Sequence, residues 1–173
     1  MIFGNPNSVA IEVGEFLSNY GNNGPYVQFQ FIIESIRIGD WNDRIPLLAS
    51  VERAVDFQAS RAYRRNDSLE RVSSTEFFSL TFDAFYNYDY ASQPILLPNL
   101  RDRHQLSEIG MGALSDKIGI TVADVSLGWT RIVVKDLRSN QIVADQTFPS
   151  SDLDEACNAF VSWGKEVQAS LAW

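Results

Sequence analysis

A few residues in this sequence are of types that could carry out catalysis, and His104 is the first of them. It is the single histidine of the chain and lies in the polar run Arg-Asp-Arg-His-Gln at residues 101 to 105. With Asp102 to orient it, His104 could act as a general base. No nucleophile motif accompanies it, so a solvated loop histidine is the favoured interpretation. The single cysteine, Cys157, has the spacing of an apolar helix stripe, which predicts a buried thiol rather than a nucleophile.

Other short patterns give no cofactor or metal site. Gly110-Met111-Gly112 lacks both the third glycine of a dinucleotide fingerprint and the lysine end of a phosphate loop. Asp152, Asp154 and Glu155 open a predicted helix, where the helix dipole favours acids without any ion. One cysteine and one histidine cannot build a Cys/His zinc site from this chain. We therefore expect no enzyme, no cofactor and no metal.

Residues 77 to 90 hold seven aromatic side chains, two aspartates and no positive charge. Their alternation predicts a strand, or two shorter strands if the run bends midway, while fewer residues obey a helical period. From Phe85 onward tyrosine is denser than a core needs, and tyrosine is favoured at the centres of protein interfaces. We predict that this end of the stretch contacts a protein partner through Asp83, Tyr86, Tyr88, Asp89 and Tyr90.

A second candidate contact is the predicted turn Gly39-Asp40-Trp41-Asn42-Asp43. Trp41 lies there between two acids, where an exposed aromatic is harder to explain as part of a core. We add Asp40, Trp41 and Asp43 to the predicted contact residues. The simplest interpretation of Trp41, Trp129 and Trp163 is a core or sheet-covering position, and only Trp41 stands out from it because of its place in the turn.

The arginine-rich segment at residues 61 to 71 allows a different hypothesis. Its basic side chains could bind a phosphate or an acidic partner, although such a run is more often a solvated helix face or loop. The residues concerned are Arg61, Arg64, Arg65 and Arg71, with Tyr63 among them.

Composition and charge limit the class of partner. The 173 residues carry a formal net charge of −8 and are 45% hydrophobic, as expected for one folded domain. This charge repels a nucleic acid and attracts a basic protein. The start of the sequence has no basic segment leading into an apolar run, and no stretch is long enough to span a membrane, so we expect a cytoplasmic protein.

The periodicity predicts an α+β fold in a single domain over residues 1 to 173. Strands are expected at residues 8 to 17 and from 26 to 38, where the phase slips at a bulge or hairpin bend. A helix near 46–60 and a long C-terminal helix from about residue 150 show helical spacing. Three more strands are expected at 118–125, 129–137 and 141–148, with residues 106–115 favoured as a further strand. Consecutive strands without intervening helices indicate a largely antiparallel sheet.

The sequence resembles the Immunity protein 42 family of bacterial polymorphic toxin systems. The resemblance rests on three stretches: the opening Met1-Ile2-Phe3-Gly4-Asn5-Pro6, the strand Ala10-Ile11-Glu12, and Phe29-Gln30-Phe31 running to Ile38-Gly39-Asp40. It extends loosely to the end of the chain, and the arginine-rich middle departs from it. The resemblance implies a cytoplasmic antitoxin that blocks a cognate toxin domain by binding and has no catalytic residues.

Acidity and the absence of an active-site motif agree with this expectation, since an acidic inhibitor suits a basic toxin domain. Two other classes stay open from the residues alone. One is an enzyme that uses scattered carboxylates with His104, and the other is a small-ligand or regulatory binding domain that uses the Arg61 to Arg71 patch.

Overall fold

The computed structural model describes residues 1–17, 25–83 and 103–171. It confirms the predicted α+β class, with antiparallel sheets, a helix where one is expected near 46–60, and a long C-terminal helix. The helices are α1 (Leu47–Ala59), α2 (Ser74–Phe78), α3 (Met111–Ser115) and α4 (Ser150–Leu171). Within the described ranges, no helix is long and apolar enough to cross a membrane.

The first sheet is built around a central strand, β3. Its five strands are β1 (Ile2–Gly4), β2 (Val9–Leu17), β3 (Tyr26–Ile33), β4 (Ile36–Ile38) and β5 (Arg44–Pro46). Strand β2 pairs along one side of β3, so β4 and β5 share the other side. The predicted phase slip after Phe31 is a hairpin: Glu34 and Ser35 have φ of 49° and 65°, as a tight two-residue turn requires.

The second sheet has three antiparallel strands, β6 (Ile118–Ser126), β7 (Trp129–Asp136) and β8 (Gln141–Pro149), close to the predicted ranges. One of its faces joins the main core, together with the inner face of the first sheet and with α4. Phe160 of α4 packs edge-on against Phe29 of β3, with ring centroids 5.7 Å apart. The other face of this sheet carries a smaller core under residues 69–82.

The strand predicted at residues 77–90 is wrong over its described part, 77–83. This part lies in α2 and in a following π-helical turn at Ser79–Asp83. Ser73 caps α2 by accepting the N–H of Glu76 at 3.2 Å. Phe77, Phe78 and Phe82 are buried against the second sheet, and this tertiary contact overrides the strand preference of the aromatic residues.

The strand favoured at residues 106–115 is also wrong. The segment forms a 3₁₀ helix at Leu106–Gly110 followed by α3. Leu106, Ile109 and Leu114 are buried in the main core. Gly110 allows the 3₁₀ helix to pack closely against α3, because a Cβ at this position would lie 2.7 Å from the Cβ of Leu114.

The two tryptophans interpreted as core or sheet-covering residues differ. Trp163 packs against Phe3 of β1, with ring centroids 5.5 Å apart. Trp129 is 47% exposed, so a core position is wrong for it. It begins β7 after the turn at Gly128, where little of the chain covers its ring.

Candidate functional site

The turn between β4 and β5 has a well-defined backbone. Gly39 has φ of +125°, a value that favours glycine. Asp40 then closes an Asx turn: its Oδ1 accepts the backbone N–H of Asn42 at 3.0 Å, and its carbonyl accepts the N–H of Asp43 at 2.9 Å. The hydrogen bond from the Asn42 backbone holds the pKa of the Asp40 carboxyl below its ordinary value.

Trp41 lies over the outer face of the first sheet, in a position that Gly14 leaves free. A Cβ at Gly14 would lie 2.8 Å from Cη2 of the Trp41 ring and 2.5 Å from Oε1 of Gln28. That Oε1 accepts the backbone N–H of Glu15 at 2.9 Å, so the side chain beside the ring is also held. The ring remains 36% exposed, which gives an aromatic surface with restricted freedom. Such a residue suits the centre of a protein interface.

Ion pairs cover the same outer face. Arg37 donates from Nε to Oε2 of Glu12 at 2.8 Å, and Gln30 donates to the same oxygen. Arg44 of β5 pairs with Glu15 of β2 at 2.6 Å. The hydrogen bond from Arg37 lowers the pKa of Glu12. The face therefore presents fixed charges of both signs rather than a uniform negative field.

A cleft of about 280 Å³ adjoins the turn and is lined by Tyr26, Asn42, Asp43 and Arg44. Asp43 is ion-paired with Lys117, which follows α3. This pair ties the turn to a segment more than seventy residues away. Tyr26 gives this cleft an aromatic wall. Asn42 and Arg44 add an amide and a guanidinium beside the ion-paired carboxylate of Asp43.

The structure brings together three of the eight predicted contact residues: Asp40, Trp41 and Asp43 share the turn. Asp83 ends the π-helical turn that packs on the second sheet, so it belongs to a different element. The remaining four lie outside the described residues, and these are Tyr86, Tyr88, Asp89 and Tyr90.

The two residues considered for catalysis are both buried. The solvated loop position expected for His104 is wrong, because the side chain is 7% exposed and its Nδ1–H donates to the carbonyl of Val122 at 2.7 Å. Burial lowers the pKa of His104 to about 4, so the ring is neutral at pH 7. Cys157 is buried as predicted, and burial raises its pKa to about 12.

The arginine-rich segment does not form a free basic patch. Arg61 pairs with Asp154 and lies 3.8 Å from Asp124. Arg65 pairs with Asp67 at 2.9 Å on the surface. Acidic partners therefore already occupy two of the four guanidinium groups.

Arg64 is buried, contrary to the expectation of a solvated helix face or loop. It is 1% exposed, and its guanidinium carbon lies 4.1 Å from the centroid of the Phe57 ring. Burial lowers the pKa of Arg64 to about 10, which still leaves it charged at pH 7. Among the residues that the structure describes, no group of three or more His, Cys, Asp or Glu side chains could hold a metal ion.

Comparison with known proteins gives a likeness of fold. No family model matches the sequence, and no curated protein matches it. The chain shares the fold of CdiI from Burkholderia dolosa AUO158. The crystal structure of that protein superposes with a TM-score of 0.65 at 15% sequence identity, over 98% of this chain and 99% of CdiI.

The likeness to CdiI spans almost the full length of both chains and is a likeness of fold. Several polar side chains on the outer face of the first sheet were not among the predicted contacts, and Gln28, Glu15 and Arg44 are three of them. For Gln28 the signal is the polar parity of β3 opposite the buried one, whereas Glu15 shares the parity of the buried Val9, Ile11 and Val13 and reaches this face only through the irregularity between Val13 and Phe16. Strand pairing is needed to use it, since Glu15 and Arg44 are far apart in the chain and meet only across the sheet.

Proposed function

We propose that this chain is an immunity protein that neutralises a cognate toxin by binding to it in the cytoplasm. One observation carries the proposal: CdiI, a contact-dependent growth inhibition immunity protein, has the same fold over nearly the full length of both chains. The sequence resemblance of the opening strands to an immunity family implies the same function.

The side-chain arrangement also supports a binding role. The outer face of the first sheet combines a seated tryptophan with arginine–carboxylate pairs, and interface centres are enriched in tryptophan and arginine. His104 and Cys157, the two side chains considered for catalysis, make interior contacts instead.

The function is tested by co-expression with the toxin encoded beside its gene. Cells that produce the toxin alone are expected to stop growing, and cells that also produce this chain are expected to grow. Purified toxin and purified chain should then form a stable complex at micromolar concentration or below. Growth arrest that persists despite a folded, abundant chain would contradict the proposal.

We propose further that the Asp40–Asp43 turn contacts the toxin, together with Asp83, Tyr86, Tyr88, Asp89 and Tyr90. Trp41→Ala should weaken toxin binding by about 30-fold or more, since aromatic residues at interface centres contribute roughly 2 kcal/mol or more. Trp129→Ala is the matched control, because Trp129 is also a partly exposed tryptophan but lies on the second sheet. Equal effects of the two replacements would remove the turn from the proposed interface.

The tyrosine-rich part is tested separately. Replacement of Tyr88 and Asp89 together by alanine should reduce protection in the co-expression assay. Full protection by this double variant would leave the Asp40–Asp43 turn as the proposed contact and exclude the stretch around residue 88.

A further inference from the structure

A second cleft lies between α1 and α4. It has a volume of about 270 Å³, and five of its seven lining residues come from α1. They are Leu48, Val51, Glu52, Val55 and Asp56, with Lys165 and Gln168 contributed by α4. We call this cleft the helix groove.

Close packing of the two helices sets the depth of the groove. Gly164 of α4 is buried, and a Cβ added there would collide with the side chain of Val51. Val51 is therefore held at the floor, 5% exposed, while Val55 one turn later is 40% exposed. The groove has an apolar floor and an open apolar edge.

The rim of the groove is acidic. Glu52 and Asp56 stand one turn apart on α1, a spacing that places both on the same face of the helix. Neither side chain forms an ion pair within the described part of the chain, in contrast to Glu12 and Glu15 on the sheet face. Among the described residues that line the groove, Lys165 is the only basic one.

The wider helical surface has the same sign. Across α1 and α4, six carboxylates stand against two basic side chains, Arg53 and Lys165. Two of those carboxylates, on Glu52 and Asp56, border the groove. The helices thus carry a large part of the negative charge of the molecule on a surface with exposed apolar area.

We infer that the helix groove receives a basic side chain of the toxin, an arginine or a lysine. Its methylene stem would pack on Val51 and Val55, and its cation would lie between the carboxylates of Glu52 and Asp56. This inference rests on the proposed function. The groove follows the turn along the chain, because β5 passes directly into α1: residues 42–44 line the cleft at the turn, and residues 48–56 line the helix groove.

Introduction of a positive charge at the edge of the groove is the first test. Val55→Lys places an ammonium where the toxin's cation is expected, and should weaken binding about 100-fold, since like charges at an interface cost several kcal/mol. Val143→Lys on β8 is the control, because Val143 is 44% exposed and the charge change is identical. It should change binding by no more than about 3-fold, the range of a surface charge at a distance. Both valines are exposed, and circular dichroism checks that each variant folds.

Charge removal is the second test. Glu52→Gln with Asp56→Asn should weaken toxin binding about tenfold, mainly by slower association and a smaller dependence on salt. The control is Glu70→Gln with Glu76→Gln, which removes two exposed carboxylates from the segment that covers the second sheet. If the two double variants weaken binding equally, the effect is one of net charge and the groove inference is wrong.

Toxin binding by the wild-type chain distinguishes a failure of the groove inference from a failure of the proposed function. If the wild type binds the toxin and Val55→Lys binds equally well, the groove inference fails and the proposed function stands. If the wild type neither binds nor protects, the proposed function fails and the groove inference falls with it. Selective weakening by the groove variants supports both.

Discussion

The position of the Trp41 side chain depends on Gly14, a residue without a side chain. Gly14 lies twenty-seven positions earlier, on β2, and its missing Cβ is what allows the indole ring to lie on the sheet. The charge of His104 also depends on its neighbours, because burial in the interior keeps neutral an imidazole that would be protonated at mildly acidic pH in water. Both are properties of single residues that neighbours distant in sequence impose.

Gly14→Ala should destabilise the protein by about 1–2 kcal/mol, because the added methyl group overlaps the Trp41 ring and the Gln28 side chain. The same replacement made in a Trp41→Ala background should cost less, since the ring is then gone. Chemical unfolding of the wild type, both single variants and the double variant gives the coupling. An equal cost in both backgrounds would show that Gly14 does not act through Trp41.

His104 should make the protein less stable as the pH falls from 7 to 5. Its folded-state pKa of about 4 lies below the ordinary value of 6.5, so the unfolded chain takes up a proton first. Stability is lost as the pH falls below about 6.5 and continues to be lost down to about 4, and the share of this group at pH 5 is about 2 kcal/mol.

His104→Gln, which keeps a donor for the Val122 carbonyl, should remove that share. Urea unfolding of the wild type and the variant at pH 7 and pH 5 measures the pH dependence of stability in each. The carboxylates titrate in both proteins, so their contribution cancels in the comparison. Parallel pH profiles for wild type and variant would contradict the assignment.

At the scale of elements, Arg131 joins β7 to the segment that covers the second sheet. Its Nη1 donates to the carbonyls of Leu69 at 3.0 Å and Val72 at 2.9 Å, while Nε and Nη2 bind Asp145 of β8 at 2.8 Å and 2.6 Å. Ser74, the first residue of α2, donates to the same carboxylate at 2.6 Å. A single buried guanidinium thus satisfies the loop carbonyls and orients the start of α2.

Arg131→Met should destabilise the protein by about 3 kcal/mol, because it leaves buried carbonyls and a carboxylate without their donor. Adding Asp145→Asn should recover part of this loss by removing the unpaired charge. Hydrogen exchange should accelerate first in residues 67–83, which Arg131 holds on the sheet. Faster exchange spread evenly over the chain would argue against this local role.

At the scale of the whole molecule, the net charge is −8, and the carboxylates that produce it differ in whether they form ion pairs. Carboxylates on the outer face of the first sheet are joined to arginines, whereas Glu52 and Asp56 on α1 are exposed and without ion pairs among the described residues. Paired charges fix orientation, and unpaired ones act at longer range. The surfaces proposed to bind the toxin include both kinds of carboxylate.

Raising the salt concentration from ~0.05 M to ~0.5 M should slow association with the toxin at least about tenfold, since screening shortens the reach of the charges. The dissociation rate should change much less, because packed contacts such as the Trp41 ring are insensitive to salt. Surface plasmon resonance or stopped-flow mixing separates the two rates. A salt effect confined to dissociation would contradict a steering role for the acidic surface.

The sequence by itself determined the elements whose burial is one-sided and regular. Alternation in β2 and helical spacing in α1 and α4 follow directly from one face meeting a core, whereas β6 and β7 are covered on both faces. The buried position of Cys157 follows from the same spacing. For the candidate site, the sequence predicts the Asp40–Asp43 turn as a contact, because an aromatic residue between two acids is unusual in a turn, and this stays a prediction.

Tertiary structure alone decided the features that depend on distant partners. Residues 77–83 are helical because their phenylalanines cover the second sheet, and Leu106–Gly110 is helical because its apolar side chains fill the main core. His104 and Arg64 are buried because β6 and α1 supply a carbonyl and an aromatic ring. Local periodicity records only that a side chain is covered, and the identity of the covering group is set when chain segments far apart in sequence pack together.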